Sequence, residues 1–92
     1  MSSYKIKQYT LEKAKALGVE VKPSRDKRKK IDVFRNGNLL HSIGATGYKD
    51  YPTYIEEKGL QYANERRRLY HIRHKNDNVP NTAGWYALKL LW

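Results

Sequence analysis

The sequence predicts an α+β fold: a single small domain over residues 1–92, with a β-hairpin packed against a short N-terminal helix and two to three C-terminal helices. The hairpin is predicted at about residues 31–44, where apolar side chains flank Asn36-Gly37, a pair that favours a two-residue turn with positive φ. Apolar side chains at helical spacing after residue 59 predict the helices. A hairpin alone is marginally stable in water, so we expect helices to cover one of its faces.

The N-terminal third is predicted to hold an arm, a short helix and a loop. Residues 1–9 form a possible arm, and Thr10 is predicted to cap a helix that Gly18 ends in a left-handed conformation. The alternating residues 19–22 are compatible with a short strand. Residues 22–30 have no apolar period, so we predict an exposed basic loop there.

The C-terminal half contains several helix signals. Pro52 suits the first turn of a short helix, Gly59 marks a break, and a long helix is predicted over residues 60–75. Thr82 is predicted to cap the last helix. The buried stripe of that last helix is predicted to be Trp85, Leu88 and Trp92.

The positive charge is concentrated in two blocks. The chain carries a net charge of +10, of which residues 22–30 contribute +5 and residues 65–75 contribute +4. This total exceeds the magnitude of about 2–8 that solubility asks of a small domain. The pattern indicates a surface that faces a polyanion, nucleic acid being the commonest; an acidic protein, an anionic lipid or merely solvated faces are alternatives.

The long helix divides its arginines between two sides. At about 100° per residue, one arc is predicted to be buried and the opposite arc to be a basic exposed face. Arg66 and Arg73 fall inside the predicted buried arc, where Asp32 or Asp50 could pair with them; alternatively they reach a second phosphate. The predicted buried arc is Tyr62, Ala63, Leu69, Tyr70 and Ile72.

These patterns give two sets of candidate residues. No zinc-finger spacing, basic zipper or aromatic-rich RNA-binding signature is present, so we expect phosphate contacts with little sequence readout. Exposed tyrosines could stack on unpaired bases, although most of the eight are expected in the core. The predicted nucleic-acid-binding residues are Lys22, Arg25, Lys27, Arg28, Lys29, Lys30, Arg67, Arg68, His71, His74 and Lys75. The predicted structural residues are Arg66, Arg73, Trp85 and Trp92.

Enzyme chemistry is not indicated. His71 and His74 are spaced i, i+3 without an evident third ligand, and the chain has no cysteine, so we predict no metal site and no cofactor. The nine acids are scattered, and no serine or threonine lies in a nucleophile motif. No signal peptide and no stretch of about 20 apolar residues is found, so we expect an intracellular protein that is not secreted and has no transmembrane segment.

Four segments in order, "VKPS…KKIDVFRNG", "SIGATGYKDYPTYI", "ERRRLYHIRH" and "TAGWYALKLLW", resemble a family of small basic proteins encoded by large double-stranded DNA viruses of algae and protists. The resemblance implies a viral origin and a place in the virion or at the assembly site, in the host cytoplasm or nucleus. It supplies no catalytic or binding residues.

Two hypotheses follow. In the first, the protein binds nucleic acid, foremost the double-stranded DNA of a viral genome, through phosphates and without marked sequence preference. In the second, it is a minor capsid or other structural protein of the virion, whose basic surface contacts acidic capsid protein or membrane, with Trp85 and Trp92 as a docking patch. The sequence predicts no oligomeric state.

Overall fold

A computed structural model describes residues 3–92 and confirms the α+β prediction. The three strands form one antiparallel sheet in the order β1-β2-β3, so the predicted hairpin gains a third strand on the β2 side. In chain order the elements are α1 (Gln8–Leu17), β1 (Glu20–Pro23), β2 (Lys29–Arg35), β3 (Asn38–Ala45), α2 (Tyr51–Lys58), α3 (Leu60–Arg73), a 3₁₀ turn (Lys75–Asp77) and α4 (Ala83–Leu90).

The hairpin turns at Asn36-Gly37, as predicted. Both residues have positive φ, 52° and 80°, which is the geometry that this pair favours. Ile31 then lies opposite Ile43, so two apolar side chains meet on one face of the sheet. On the other edge of β2, Val21 of β1 pairs with Val33.

The prediction of an exposed loop over residues 22–30 is wrong at both ends. Lys22 belongs to β1, while Lys29 and Lys30 begin β2, so only residues 24–28 connect the strands. Lys30 is 5% exposed. These strand residues could not be recognised from an apolar period, because Lys30 points inward and meets a buried carboxylate, not an apolar side chain.

The core lies between one face of the sheet and α4. Ile31 and Val33 are fully buried there together with Tyr86 and Leu90. The predicted stripe of α4 is therefore corrected: Trp85 is only half-buried, and Tyr86 takes its place. Trp92, Leu88 and Leu91 are also buried. Because Trp92 is only 9% exposed, the two-tryptophan docking patch is not available on the surface.

α1 begins earlier than predicted. The helix starts at Gln8, and Thr10 lies inside it instead of capping it. The Thr10 side chain is fully buried, and its hydroxyl donates a hydrogen bond of 2.8 Å to the main-chain oxygen of Leu90. A buried hydroxyl needs such a partner, so Thr10 joins α1 to the end of α4.

The end of α4 is also held by two other helices. The N–H of Tyr51, at the start of α2, donates to the main-chain oxygen of Leu91 over 3.0 Å. The Nε of Arg67, on α3, donates to the main-chain oxygen of Trp92 over 2.6 Å. The last carbonyl groups of a helix lack partners within the helix. Here three different helices supply the donors.

Asp50 accepts hydrogen bonds from three separate parts of the chain. Its carboxylate, which is fully buried, accepts from the hydroxyl of Tyr4 at 2.7 Å, from Nζ of Lys30 at 3.0 Å and from the N–H of Thr53 at 3.1 Å. Burial alone would raise the pKa of Asp50, but the Lys30 charge and the three hydrogen bonds outweigh it and lower that pKa below its ordinary value.

The two buried aspartates do not pair with the arginines predicted for them. Asp32 accepts hydrogen bonds from the hydroxyls of Ser24 at 2.5 Å and Ser42 at 2.6 Å, and Asp50 is occupied as described. Among residues 3–92, Arg66 and Arg73 form no ion pair. The predicted pairing is therefore wrong, because the strands bring hydroxyl and lysine partners to these carboxylates.

Replacing Asp50 with Ala should lower the free energy of unfolding by about 3–5 kcal/mol, because it leaves the Lys30 ammonium buried without its partner. Chemical denaturation measures this. Glu57→Gln breaks the exposed Lys49–Glu57 ion pair and is the matched control, with an expected cost of at most about 1 kcal/mol. Equal stability of the two variants would contradict a structural role for the buried pair.

The contribution of Asp50 should also depend on pH. A carboxylate whose folded pKa is depressed stabilises the protein above its unfolded pKa of about 3.9, and that contribution is lost as the pH falls through the folded pKa. The stability difference between the wild-type protein and Asp50→Ala should therefore be constant near neutrality and shrink below about pH 4. A difference that does not change with pH would contradict this ionisation.

Candidate nucleic-acid interface

α3 has a narrower buried strip than the sequence predicts. Ala63 is fully buried, and the Tyr70 ring stacks on the Trp92 ring at 4.1 Å between centroids. Tyr62 and Ile72, however, are 46% and 57% exposed, so their predicted burial is wrong. Because α3 contacts the domain along one strip, cations are exposed on two different sides of it.

One side of α3 meets α1 and α4 in a basic surface that we call the three-helix patch. Its residues come from three helices and the turn after α3. Two depressions of about 430 and 230 Å³ lie along it and share His71 in their walls. The three-helix patch consists of Lys13, Arg67, Arg68, His71, Lys75 and Lys89.

The cations of the patch act on one another. Partial burial lowers the pKa of Lys13, and the charges of Arg67 and Lys89 lower it further. Burial also lowers the pKa of His71, and the same three cations add to this effect, while a hydrogen bond with the main chain of Trp92 opposes it. A bound anion would offset the neighbouring cations that lower the pKa of Lys13 and His71.

Arg67 and Arg68 differ in their freedom to bind a ligand. Arg67 was predicted to face an external anion, but its Nε bonds to Trp92 and its guanidinium lies 5.3 Å from the centroid of the Tyr51 ring. It is half-buried and fixed in the fold. Arg68 is exposed and forms an ion pair with Glu65 at 2.5 Å. Exposed pairs of this kind are weak, so a phosphate can compete for Arg68.

His74 and Lys75 are separated by the end of α3. The His74 ring stacks on Tyr70 at 4.1 Å, and its Nδ1 lies 2.9 Å from a carboxylate oxygen of Asp77. His74 therefore leaves the three-helix patch and joins the other side of α3. Lys75 is exposed beside His71, as predicted.

The connection between β1 and β2 carries the other basic block. Arg25, Lys27 and Arg28 are exposed, and Arg28 pairs with Asp26 through two nitrogens at 3.2 Å. Lys22 and Lys29 lie on the flanking strands, and Lys30 is buried against Asp50. Thr46 donates to the main-chain oxygens of the loop and fixes it beside the segment after β3.

Arg66 and Arg73 lie on the second side of α3. Arg73 is exposed, which corrects its predicted structural role, while the Arg66 guanidinium lies 5.6 Å from the centroid of the Tyr54 ring. Both line a cleft of about 360 Å³ whose wall also contains Tyr48 and Tyr70. This placement is compatible with the alternative prediction, in which both arginines reach a second phosphate.

Sequence reasoning missed two members of the three-helix patch. Lys13 and Lys89 lie outside both charge blocks, and the residues beside them in the sequence do not mark either lysine as part of a cationic site. Only the packing of α1 and α4 beside α3 brings them to His71. The helical spacing within α1 and α4 could at most have shown that both lysines lie beside a buried stripe.

No protein-family model, curated protein or solved structure matches the chain. Among the described residues, no helix is both long and apolar enough to cross a membrane. Residues 3–92 also contain no group of three or more histidine, aspartate or glutamate side chains that could hold a metal ion. The features that indicate a function are therefore the cations exposed on the two sides of α3.

The pKa of His71, measured by NMR titration, should lie below the ordinary value of about 6.5. Adding heparin should raise it, because a bound polyanion offsets the neighbouring cations. Lys13→Gln/Lys89→Gln should also raise the pKa of His71, whereas Lys15→Gln/Lys58→Gln, which removes the same charge elsewhere, should not. A His71 pKa that heparin leaves unchanged would contradict anion binding at the patch.

Proposed function

We propose that this protein binds nucleic acid through its phosphates, without marked sequence preference, and that the three-helix patch makes the principal contact. One observation carries the proposal: three helices bring the cations Lys13, Arg67 and Lys89 together around His71, and within residues 3–92 none of these four side chains forms an ion pair with an aspartate or glutamate. Such an excess of local positive charge is reduced when a polyanion binds.

The shape of the patch supports a backbone ligand. Its two depressions are open to solvent and are lined mainly by polar and cationic side chains beside Leu88, unlike the enclosed and mostly apolar pockets of small molecules. Lysine and arginine contacts to phosphates fix the position of a nucleic acid but do not read its bases. The patch therefore favours binding that is independent of sequence.

The resemblance to small basic proteins of large double-stranded DNA viruses supports a more specific proposal. In it, the ligand is the genome of such a virus, and the protein acts in the virion or at the assembly site. An acidic capsid protein is the alternative partner, because it would contact the same cations. The binding experiment uses DNA as its probe and therefore distinguishes nucleic acid from such a protein.

Duplex DNA binding across a salt series tests the proposal at the patch. Lys13→Gln/Lys89→Gln should lower the affinity by about tenfold and reduce the magnitude of the log–log salt slope by about 2, because each lost phosphate contact contributes about 0.9. The effect should be the same for unrelated duplex sequences. Fluorescence anisotropy with a labelled blunt duplex measures both quantities.

Lys15→Gln/Lys58→Gln is the control for this experiment. Both lysines are exposed, and Lys15 lies two positions from Lys13, on the other side of α1. The control loses the same net charge but keeps the patch, so its affinity and salt slope should stay closer to those of the wild-type protein. Equal losses in the two variants would indicate a general charge effect and remove the patch from the proposal.

A further inference from the structure

Tyr48 presents an unusually open aromatic ring. It is 76% exposed, more than any other large apolar side chain among residues 3–92. Neither face of its ring contacts another aromatic ring of the described chain. Tyr48 follows Gly47, whose φ of 90° turns the chain between β3 and α2. The ring is therefore displayed by a turn and is not needed for the core.

The other aromatic rings nearby are already occupied. Tyr70 lies between Trp92 and His74, with 4.1 Å between ring centroids on each side, and its ring plane is inclined by 7° to that of Trp92 and by 24° to that of His74. Tyr54 contacts Trp92 and the guanidinium of Arg66. A planar ligand that seeks an unoccupied ring face in this region would find it on Tyr48.

Two clefts lie on either side of Tyr48. The first, of about 330 Å³, contains Lys5 and Lys7, and the second, of about 360 Å³, contains Arg66 and Arg73. Both clefts share Tyr48 and Lys49 in their walls. A ligand that crosses Tyr48 would therefore have cations before and after the ring.

Some of these cations are free to meet an anion. Lys7 pairs with Glu56, and Lys49 pairs with Glu57. Lys5, Arg66 and Arg73 form no ion pair with any residue of the described range. Arg66 is also positioned by the ring of Tyr54, so its guanidinium is held at the cleft.

The basic loop extends this arrangement. The N–H of Thr46 donates to the main-chain oxygen of Arg28 at 3.0 Å, and its hydroxyl donates to that of Lys27 at 3.1 Å. These bonds place the loop next to the first cleft, which Thr46 also lines. Cations thus continue from the loop, past Tyr48, to Arg73.

We propose that Tyr48 and its two flanking clefts form a second site, which binds an unpaired segment of nucleic acid. The base stacks on the exposed ring, and the phosphates on either side contact the unpaired cations of the two clefts. Stacking on an aromatic ring requires a base face that a duplex does not offer, and it tolerates any base. This inference rests on the proposed function for the identity of the ligand, but it uses a surface apart from the three-helix patch.

The test compares a labelled oligothymidylate, an abasic strand of the same length and a blunt duplex, each measured by fluorescence anisotropy. The wild-type protein should bind oligothymidylate more tightly than the abasic strand, which carries the phosphates alone. Tyr48→Leu should lose at least about fivefold in affinity for oligothymidylate. Tyr48→Phe, which keeps the ring, should retain the wild-type affinity.

The abasic strand and the duplex separate this inference from the proposed function. Tyr48→Leu should leave the affinity for both unchanged. The second site is contradicted if Tyr48→Leu binds oligothymidylate as tightly as the wild-type protein does, or if it loses affinity equally for all three probes. Neither result contradicts duplex binding at the three-helix patch. If the wild-type protein binds none of the probes, both proposals fail.

Discussion

Asp50 joins three parts of the chain: the arm through Tyr4, the sheet through Lys30, and the first turn of α2 through Thr53. A buried charge is tolerated only when it is paired and fully hydrogen-bonded, so all three partners of Asp50 must be in place at the same time. The requirement fixes the start of α2 relative to β2. It also fixes the segment between β3 and α2, and with it the position of Tyr48.

The few acids of the protein leave most of its surface cations without a carboxylate partner. Asp32 and Asp50 are buried, four further acids form ion pairs with lysine or arginine at the surface, and Asp77 contacts a ring nitrogen of His74. With nine acids in the chain and 19 lysines and arginines, most basic side chains have no acid to meet. α3 separates the unpaired cations into the three-helix patch and the clefts beside the exposed ring of Tyr48. The two surfaces therefore differ in chemistry as well as in position.

The sequence contained enough information for the hairpin and the helix breaks, because Asn36-Gly37 and Gly59 act through local backbone geometry. The predicted basic loop is too long, because a strand that buries Lys30 against a distant aspartate shows no apolar period in the sequence. The helical-wheel prediction for α3 is wrong at Ile72 and Arg73. A helical wheel assigns about half of the helix surface to the core, whereas the observed packing buries a narrower strip. Lys13 and Lys89 could not be found from charge blocks, since they become neighbours of His71 only through tertiary packing.

The hydrogen bonds at the end of α4 have a consequence for the order of folding. Thr10 and Leu90 are 80 positions apart, and Arg67 and Trp92 are 25 apart. Contacts between distant positions require large loops to close before they contribute stability, which slows folding. During synthesis on a ribosome, α1 would emerge long before its partner carbonyl group. The domain should therefore acquire its stable structure late, after α4 has left the exit tunnel, and not helix by helix from the N-terminus.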